Sequence, residues 1–235
     1  MPSPSNMSHR SNIVIKTDAD TKKHFIIITN HKCGFTSINL LENILQVPLI
    51  NQITVHPTYQ FNFNKIQAEH NTETIYLFRS IIKRNISVFL QWGIDIPHKK
   101  GFSFLTTSIQ NVAPPNIFAQ FMQYVKNRDL IPAYTIFLNY LPRFYNRNIH
   151  FVPQSSIILQ NRIKKVDHYI NLDYAPDMEK FAKITNQPLA HKNPSNSTSK
   201  KQLEEFVKSN KQAQRLLAQI YQQDLIYFKK HNINV

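Results

Sequence analysis

The feature that most constrains the fold is a short apolar run followed at once by a polar turn and then by a helical pattern. The run Phe25–Ile28 is β-branched and aromatic and is too short for a helix, so it predicts a buried strand. The polar turn contains Gly34, one of three glycines in the chain. Apolar residues in Ile38–Leu45 then recur at helical spacing, which predicts a helix capped by Thr36 or Ser37.

A helix that starts directly after a strand can bind an anion. Its first turn has unpaired N–H groups and the positive end of the helix dipole, and Lys32 adds a charge beside it. The order of Lys32–Ser37, K-C-G-F-T-S, differs from the nucleotide loop GxxxxGK[ST], in which the lysine directly precedes the hydroxyl residue. Taken alone, the pattern fits a capped strand-to-helix turn without a ligand equally well.

A second strand, turn and helix follow about forty-five residues later. The apolar run Thr74–Phe78 predicts a buried strand that ends at Arg79. The next residues have an apolar helical face and carry Ser87 two turns into the helix. Since a guanidinium and a hydroxyl can share the oxygens of one phosphate, Arg79 and Ser87 predict a second phosphate contact. The alternative is an amphipathic helix that begins after an arginine by chance.

The two segments together resemble the donor-binding motifs of the sulfotransferases. Lys32–Ser37 is similar to the 5′-phosphosulfate loop PKCGTTS of the Golgi carbohydrate sulfotransferases and the heparan 2-O-sulfotransferase group. Arg79, Arg84 and Ser87 match the 3′-phosphate motif R-x-P-x-x-R-x-x-S. The sequence departs from the family at His31, Phe35, Ser80 and Ile81, where Pro, a small hydroxyl residue and Asp-Pro are usual.

The resemblance implies an α/β fold, with a central parallel sheet flanked by helices on both faces, in a P-loop-like sulfotransferase arrangement. It implies transfer of a sulfuryl group from 3′-phosphoadenosine 5′-phosphosulfate (PAPS) to a glycan hydroxyl, without a metal, leaving adenosine 3′,5′-bisphosphate (PAP). A late polar loop, 185–201, is similar to the family loop that closes on the nucleotide. The donor-binding residues so implied are Lys32, Cys33, Gly34, Phe35, Thr36, Ser37, Arg79, Ser87, Asn193, Ser195 and Lys200.

Two histidines compete for the role of catalytic base. His56 follows a predicted extended segment, and the heparan 2-O-sulfotransferase group has a histidine at a similar distance ahead of its 3′-phosphate arginine. His150 belongs to an H-x-x-P-Q element that also resembles the family, and a structural role for it is equally open. Lys32 would neutralise charge on the phosphosulfate bridge. Asp173 is a loose match to a family acid near the donor.

The acceptor is expected to meet the middle of the chain. Residues 93–116 show little periodicity, which predicts a long loop or a lid over the acceptor site. Lys99 and Lys100 within it, together with Arg147 and Gln154, are the candidate substrate-binding residues.

The carboxyl-terminal part of the chain carries further helical patterns. We expect helices over 117–126 and 176–184, a strand over 166–171, and one or two closing helices over 203–230. The stretch IYQQDLIYF resembles a terminal family signature, and Tyr221, Leu225 and Phe228 are expected to dock it.

Charge and composition restrict the class of partner. Lys and Arg number 28 against 14 Asp and Glu, a formal net charge of +14 that favours a polyanion. The basic residues are dispersed and no nucleic-acid-binding motif appears, so an anionic glycan is favoured over nucleic acid. No apolar stretch suits a signal peptide or a membrane span, so we expect a cytoplasmic, prokaryotic protein with a flexible segment 1–22 and one domain over 23–235.

Two other functions stay open from the sequence. A P-loop-like kinase would need a magnesium-binding acidic residue at a strand end, and no clear strand of that kind is present. A basic polyanion-binding module without catalysis would need neither phosphate contact.

Overall fold

The computed structural model describes residues 12–18, 24–29, 44–45, 72–147, 150–160, 162–186, 188–189 and 198–233. Its contacts divide the chain into two compact units. The first comprises Met1–Arg79, Gln154–Asn193 and Lys230–Val235, and the second comprises Ser80–Pro153 and Pro194–Lys229. The sequence predicted one domain over 23–235. Because the chain passes between the units more than once, no single linker marks the division.

Five strands and ten α-helices have described bounds. The strands are β1 Asn12–Asp18, β2 His24–Thr29, β3 Ile44–Leu45, β4 Thr72–Phe78 and β5 His168–Asn171. The helices are α1 Ile81–Phe89, α2 Ile96–Lys100, α3 Phe104–Gln110, α4 Pro115–Asn127, α5 Leu130–Tyr140, α6 Ser156–Gln160, α7 Ala175–Thr185, α8 Thr198–Ser209, α9 Lys211–Ile220 and α10 Gln222–Lys230. A π-helical segment, Leu90–Asp95, joins α1 to α2, and 3-10 turns occupy Leu141–Arg143 and Tyr145–Arg147.

The first unit is built on one sheet with the strand order β3-β1-β2-β4-β5. Strands β2, β4 and β5 run parallel, whereas β1 is antiparallel to both β2 and β3. The α/β class is confirmed, with three adjacent parallel strands. The predicted central parallel sheet is thus present in β2, β4 and β5, and β1 and β3 extend it through antiparallel pairing.

The parallel strands form the core of the first unit because both of their faces are apolar. Phe25–Ile28 of β2 and Ile75–Phe78 of β4 are at most 1% exposed. On one face, Phe181 of α7 packs with Phe25 and Leu77 in a single cluster. Continuous burial of this kind is typical of parallel strands covered on both sides. The strands predicted at these two apolar runs are therefore confirmed.

Two local predictions near the amino terminus were wrong. Strand β1 lies within the segment 1–22 that we expected to be flexible, and it pairs with β2 from Asn12 opposite Thr29 onward. Ile44 and Leu45 were predicted in a helix, but they form β3, opposite Asp18 and Thr17. Both strands exist through ladder partners distant in sequence, which local periodicity does not contain.

The second unit is helical and has an aromatic core. Phe89 of α1 contacts Tyr134 and Phe137 of α5, with ring centroids 4.9 and 5.2 Å apart. Phe121 and Val125 of α4 are buried in the same cluster, and α4 contains the helix predicted over 117–126. The closing segment forms α8, α9 and α10, one helix more than expected.

The predicted lid over 93–116 is wrong. This stretch contains the end of the π-helical segment, α2, α3 and the first residues of α4. Ser103 caps α3 in a reciprocal capping box with Thr106, and Leu105 and Ile109 are fully buried. The helices are short and separated by Gly101 and Pro114-Pro115. No single helical period therefore extends over the whole stretch, and the sequence pattern does not reveal them.

None of the helices in the described part of the chain has the length and apolarity needed to cross a membrane.

Candidate functional site

The candidate site lies in the first unit, at the edge where the parallel strands end. Thr29, the last residue of β2, is opposite Leu77 of β4, and Phe78 is opposite Asn171, the last residue of β5. Arg79 follows β4 directly and Asp173 comes two residues after β5. Carboxyl ends of parallel strands are where α/β proteins bind ligands. Strand β2 ends at this edge too, at Thr29.

The main chain of Arg79 is fixed by the side chain of Gln154. The Arg79 N–H donates to Gln154 Oε1 at 2.9 Å, and Gln154 Nε2 donates to the Arg79 carbonyl at 2.9 Å. Gln154 is completely buried. It was predicted to bind the acceptor, and that prediction is wrong, because its amide is turned onto the backbone of Arg79. The pair of hydrogen bonds instead holds the end of β4 in place.

The guanidinium of Arg79 is held by a carboxylate. Arg79 Nη2 and Nε donate to Asp173 Oδ1 at 2.7 and 3.2 Å. The side chains are 17% and 9% exposed, so the ion pair is largely shielded but still reaches solvent. An arginine in this state can bind a phosphate only if the anion shares the guanidinium with Asp173 or displaces it.

The turn that carries Asp173 is itself ordered by side-chain hydrogen bonds. The Asp173 N–H donates to Asn171 Oδ1 at 3.0 Å, and the Asn171 N–H donates to Asp177 Oδ2 at 2.8 Å. Asp177 lies in the first turn of α7, so the start of this helix fixes the end of β5. Sequence reasoning missed Asn171 and Asp177. The Asn-x-Asp spacing around a strand end was the available signal.

In the second unit, helix α1 carries the remaining residues of the second predicted phosphate motif. Ser87 is half-buried within the helix. Arg84 is 1% exposed, and its Nη1 donates to the Val152 carbonyl at 3.0 Å. A buried arginine that bonds the backbone is part of the helical core, so Arg84 is a structural residue and not an exposed phosphate ligand.

A buried polar cluster extends along α1. Tyr134 donates its hydroxyl proton to Asn85 Oδ1 at 2.7 Å, and Asn85 Nδ2 donates to the Tyr221 hydroxyl at 3.2 Å. Burial raises the pKa of both tyrosines, and in Tyr221 the charge of Arg84 opposes that rise. Asp224 is fully buried nearby and raises the pKa of Tyr221 further. These hydroxyls stay protonated and act as hydrogen-bonding groups.

The terminal signature docks largely as expected. Tyr221 is 2% exposed and Phe228 is fully buried, which confirms that both residues pack against the rest of the protein. Leu225 is 36% exposed, so its predicted packing role is wrong. Buried Asp224 replaces it on the inner side of α10.

His150 lies among aromatic rings in the second unit. Its ring stacks on Phe104, with centroids 5.2 Å apart and planes 12° apart, and it lies 5.4 Å from the Trp92 ring. The side chain is half-buried. This environment favours the structural alternative for His150, because stacking fixes the ring by packing.

The other predicted site residues in the described chain lie on helices or turns. Lys99 and Lys100 are exposed at the end of α2, and Arg147 is exposed in a 3-10 turn. Lys200 was expected in a polar loop, but it lies in α8, 3.8 Å from Glu204 one turn later.

The rest of the predicted site lies outside the described residues. This applies to the donor loop Lys32, Cys33, Gly34, Phe35, Thr36 and Ser37, to His56, and to Asn193 and Ser195. In the described part of the chain, no group of three or more His, Cys, Asp or Glu side chains could hold a metal ion.

Comparison of the chain with models of known protein families, with curated proteins and with solved structures finds no match.

Proposed function

We propose that the protein transfers a sulfuryl group from PAPS to a hydroxyl of an anionic glycan. The observation that carries the proposal is the parallel order of β2, β4 and β5. Strands β2 and β4 therefore end at the same edge of one sheet, where Arg79 follows β4 and pairs with Asp173, and Lys32 comes three residues after β2 in the sequence. Two phosphate-binding segments that leave neighbouring strand ends can hold the two ends of one nucleotide.

In this proposal Arg79 binds the 3′-phosphate of the donor. Its guanidinium is partly exposed and its main chain is fixed by Gln154, so it is already ordered before the donor binds. An ordered cation converts donor binding energy into positioning of the sulfur. Asp173 opposes the phosphate by its charge, and this sets how tightly the donor binds.

The transfer step needs a base and a cation near the bridge. His56 accepts the hydroxyl proton as the acceptor oxygen bonds to sulfur, and the bond from sulfur to the bridging oxygen breaks. Lys32 balances the charge that develops on the bridging oxygen, and PAP leaves. The cytoplasmic location and the anionic acceptor belong to the same proposal and rest on the sequence.

The experiment that tests the proposal is calorimetry of the full chain with PAP, adenosine 5′-phosphate and ATP. We expect PAP to bind much more tightly than adenosine 5′-phosphate, and Arg79→Ala to weaken PAP by about tenfold or more. Lys164→Ala, an exposed residue of the first unit, is the matched control. Equal affinity for PAP and adenosine 5′-phosphate would exclude the 3′-phosphate assignment, and tight magnesium-dependent binding of ATP would favour a kinase.

Arg79→Ala leaves Asp173 without its cation, which can destabilise the fold. The double variant Arg79→Ala/Asp173→Asn removes both charges together. We expect it to stay folded by circular dichroism and still to bind PAP about tenfold or more weakly than the wild type. Wild-type PAP affinity in the folded double variant contradicts the role of Arg79.

A further inference from the structure

The second unit displays a short basic and aromatic segment, His98–Phe102, which we call the tip. His98, Lys99 and Lys100 are exposed in the last turn of α2. Phe102 is 72% exposed, whereas every other phenylalanine among the described residues is buried or half-buried. The Phe102 ring therefore presents an apolar face to solvent directly after the basic end of α2.

Hydrogen bonds hold the tip at both of its ends. On one side Pro97 is buried, and its carbonyl accepts a hydrogen bond from the Gly101 N–H at 2.6 Å. Gly101 has φ +83°, a conformation that favours glycine, and it ends the helix. On the other side Ser103 is buried, donates its hydroxyl proton to the Trp92 carbonyl and caps α3. Both ends are therefore fixed while the side chains between them project outward.

The charges around the tip favour an anion. Among the described residues, neither Lys99 nor Lys100 has a carboxylate partner. The second unit, residues 80–153 and 194–229, contains 14 Lys and Arg but only five acidic residues. One of these, Asp95, lies 3.9 Å from Arg128. The positive field at the tip is thus left available to a ligand.

We infer that the tip binds an acidic glycan, with Lys99 and Lys100 pairing with its carboxylate or sulfate groups and Phe102 stacking on the apolar face of a pyranose ring. The inference deepens the proposed function, on which it rests for its biological purpose, because it assigns an acidic-glycan-binding surface to residues of the second unit. Lys99 and Lys100 were expected to touch the acceptor from the sequence, whereas Phe102 was not singled out.

The composition of the tip favours a glycan over other polyanions. Single-stranded nucleic acid is usually bound by several aromatic side chains along a basic groove, and the tip has one exposed ring. An anionic membrane is usually bound by an amphipathic helix with a broad apolar face, whereas α2 has five residues and an exposed end that is basic. One exposed ring next to two lysines matches a sugar face next to an acidic group, as in an acidic glycan.

The test is binding of the full chain to a chondroitin hexasaccharide, whose carboxylates alternate along pyranose rings, in the absence of any nucleotide. We expect Phe102→Ala to weaken binding roughly three- to tenfold and Phe102→Tyr to retain it, because a stacking ring is needed. Lys99→Gln/Lys100→Gln should weaken binding to a similar degree and lower its salt dependence. Lys126→Gln, an exposed charge elsewhere on the same unit, is the control.

Unchanged affinity in Phe102→Ala and in the double lysine variant would overturn the inference. So would tighter binding to oligothymidylate of equal charge, or binding only to vesicles containing anionic lipid. PAP affinity is measured in parallel and should be the same in all tip variants. If the wild type did not bind PAP, the proposed function would be rejected, but the glycan-binding result would remain valid. Failure of the proposed function and failure of this inference are therefore distinguishable.

Discussion

Arg79 donates from two of its guanidinium nitrogens to the same carboxylate oxygen of Asp173, at 2.7 and 3.2 Å. This ion pair joins the residue after β4 to the turn after β5. The carboxylate both orients the arginine and competes for it. The balance between these two effects decides whether Asp173 raises or lowers the affinity of the candidate site for an anion.

The first prediction is that Asp173→Asn raises the affinity for PAP. The amide can still accept a hydrogen bond from Arg79, but the negative charge that repels a phosphate is gone. We expect a gain of roughly three- to tenfold, measured by calorimetry at low and high salt. A fall in affinity would instead mean that Asp173 acts mainly by holding Arg79 in position. Asp129→Asn, an exposed acid of the second unit, is the control.

The second prediction concerns Gln154, which fixes the Arg79 main chain with two hydrogen bonds. Gln154→Ala leaves the partly buried N–H and carbonyl of Arg79 without this partner, so we expect a loss of roughly 1–3 kcal/mol in the free energy of unfolding. Gln154→Glu keeps the acceptor but removes the donor, and it places a charge in a fully buried position.

Denaturant unfolding measures the stability of both Gln154 variants, with exposed Gln120→Ala as the control. If Gln154 positions Arg79, the folded fraction of Gln154→Ala also binds PAP more weakly. Normal PAP affinity in a destabilised variant would limit Gln154 to a structural role.

The sequence predicted those elements of the fold that depend on neighbouring residues, and it failed for those that depend on contacts distant in sequence. Phe25–Ile28 and Thr74–Phe78 are continuous apolar runs, and the structure places them in neighbouring parallel strands. Ile44 and Leu45 have helical spacing but pair with β1, and this pairing is a tertiary effect. The short helices of 93–116 depend on a cap at Ser103 and a left-handed residue at Gly101.

The sequence predicted the cation of the candidate site, Arg79, but not the contacts that hold it. Arg79 stands out because it follows an apolar run directly. The role of Gln154 depends on an approach between residues 75 positions apart, and that of Asp173 on one between residues 94 positions apart. Contacts at such sequence separations cannot be predicted from local periodicity. Asp173 was noted only through a family resemblance, and Gln154 was assigned to the wrong partner.

The third prediction is a pH dependence at Asp167. Its carboxylate accepts a hydrogen bond from the Thr74 N–H at 2.8 Å and lies 2.5 Å from Lys165 Nζ. Burial alone would raise the pKa of Asp167, but the bonds from Lys165 and Thr74 outweigh it and lower the pKa below the ordinary value of 3.8. Because the folded pKa is the lower one, the stabilisation is present above the ordinary value and is lost as the pH falls through the folded value.

Asp167→Asn should therefore lower the free energy of unfolding by roughly 1–2 kcal/mol at neutral pH. The difference from the wild type should begin to shrink below about pH 4, where the carboxylate of the unfolded chain is protonated, and should vanish once the pH has fallen through the lower pKa of the folded protein. Lys165→Gln, which removes a 74% exposed partner, should cost much less. Denaturant unfolding between acid and neutral pH measures all three proteins, and a difference that grows in acid would contradict the assigned direction.

The last prediction separates the two histidines. His150 stacks on Phe104 and lies beside Trp92, so His150→Ala should loosen that aromatic cluster and lower the melting temperature. We expect turnover by its folded fraction to fall only slightly. His56 lies outside the described residues, and its assignment as the base rests on the proposed function. His56→Ala should lose about 10²–10⁴ in turnover on an accepted glycan with saturating PAPS, while its melting temperature and PAP affinity stay unchanged. The reverse pattern, in which His150→Ala is stable but inactive and His56→Ala is active, would transfer the base to His150, because a ring that only packs cannot control the rate without affecting stability.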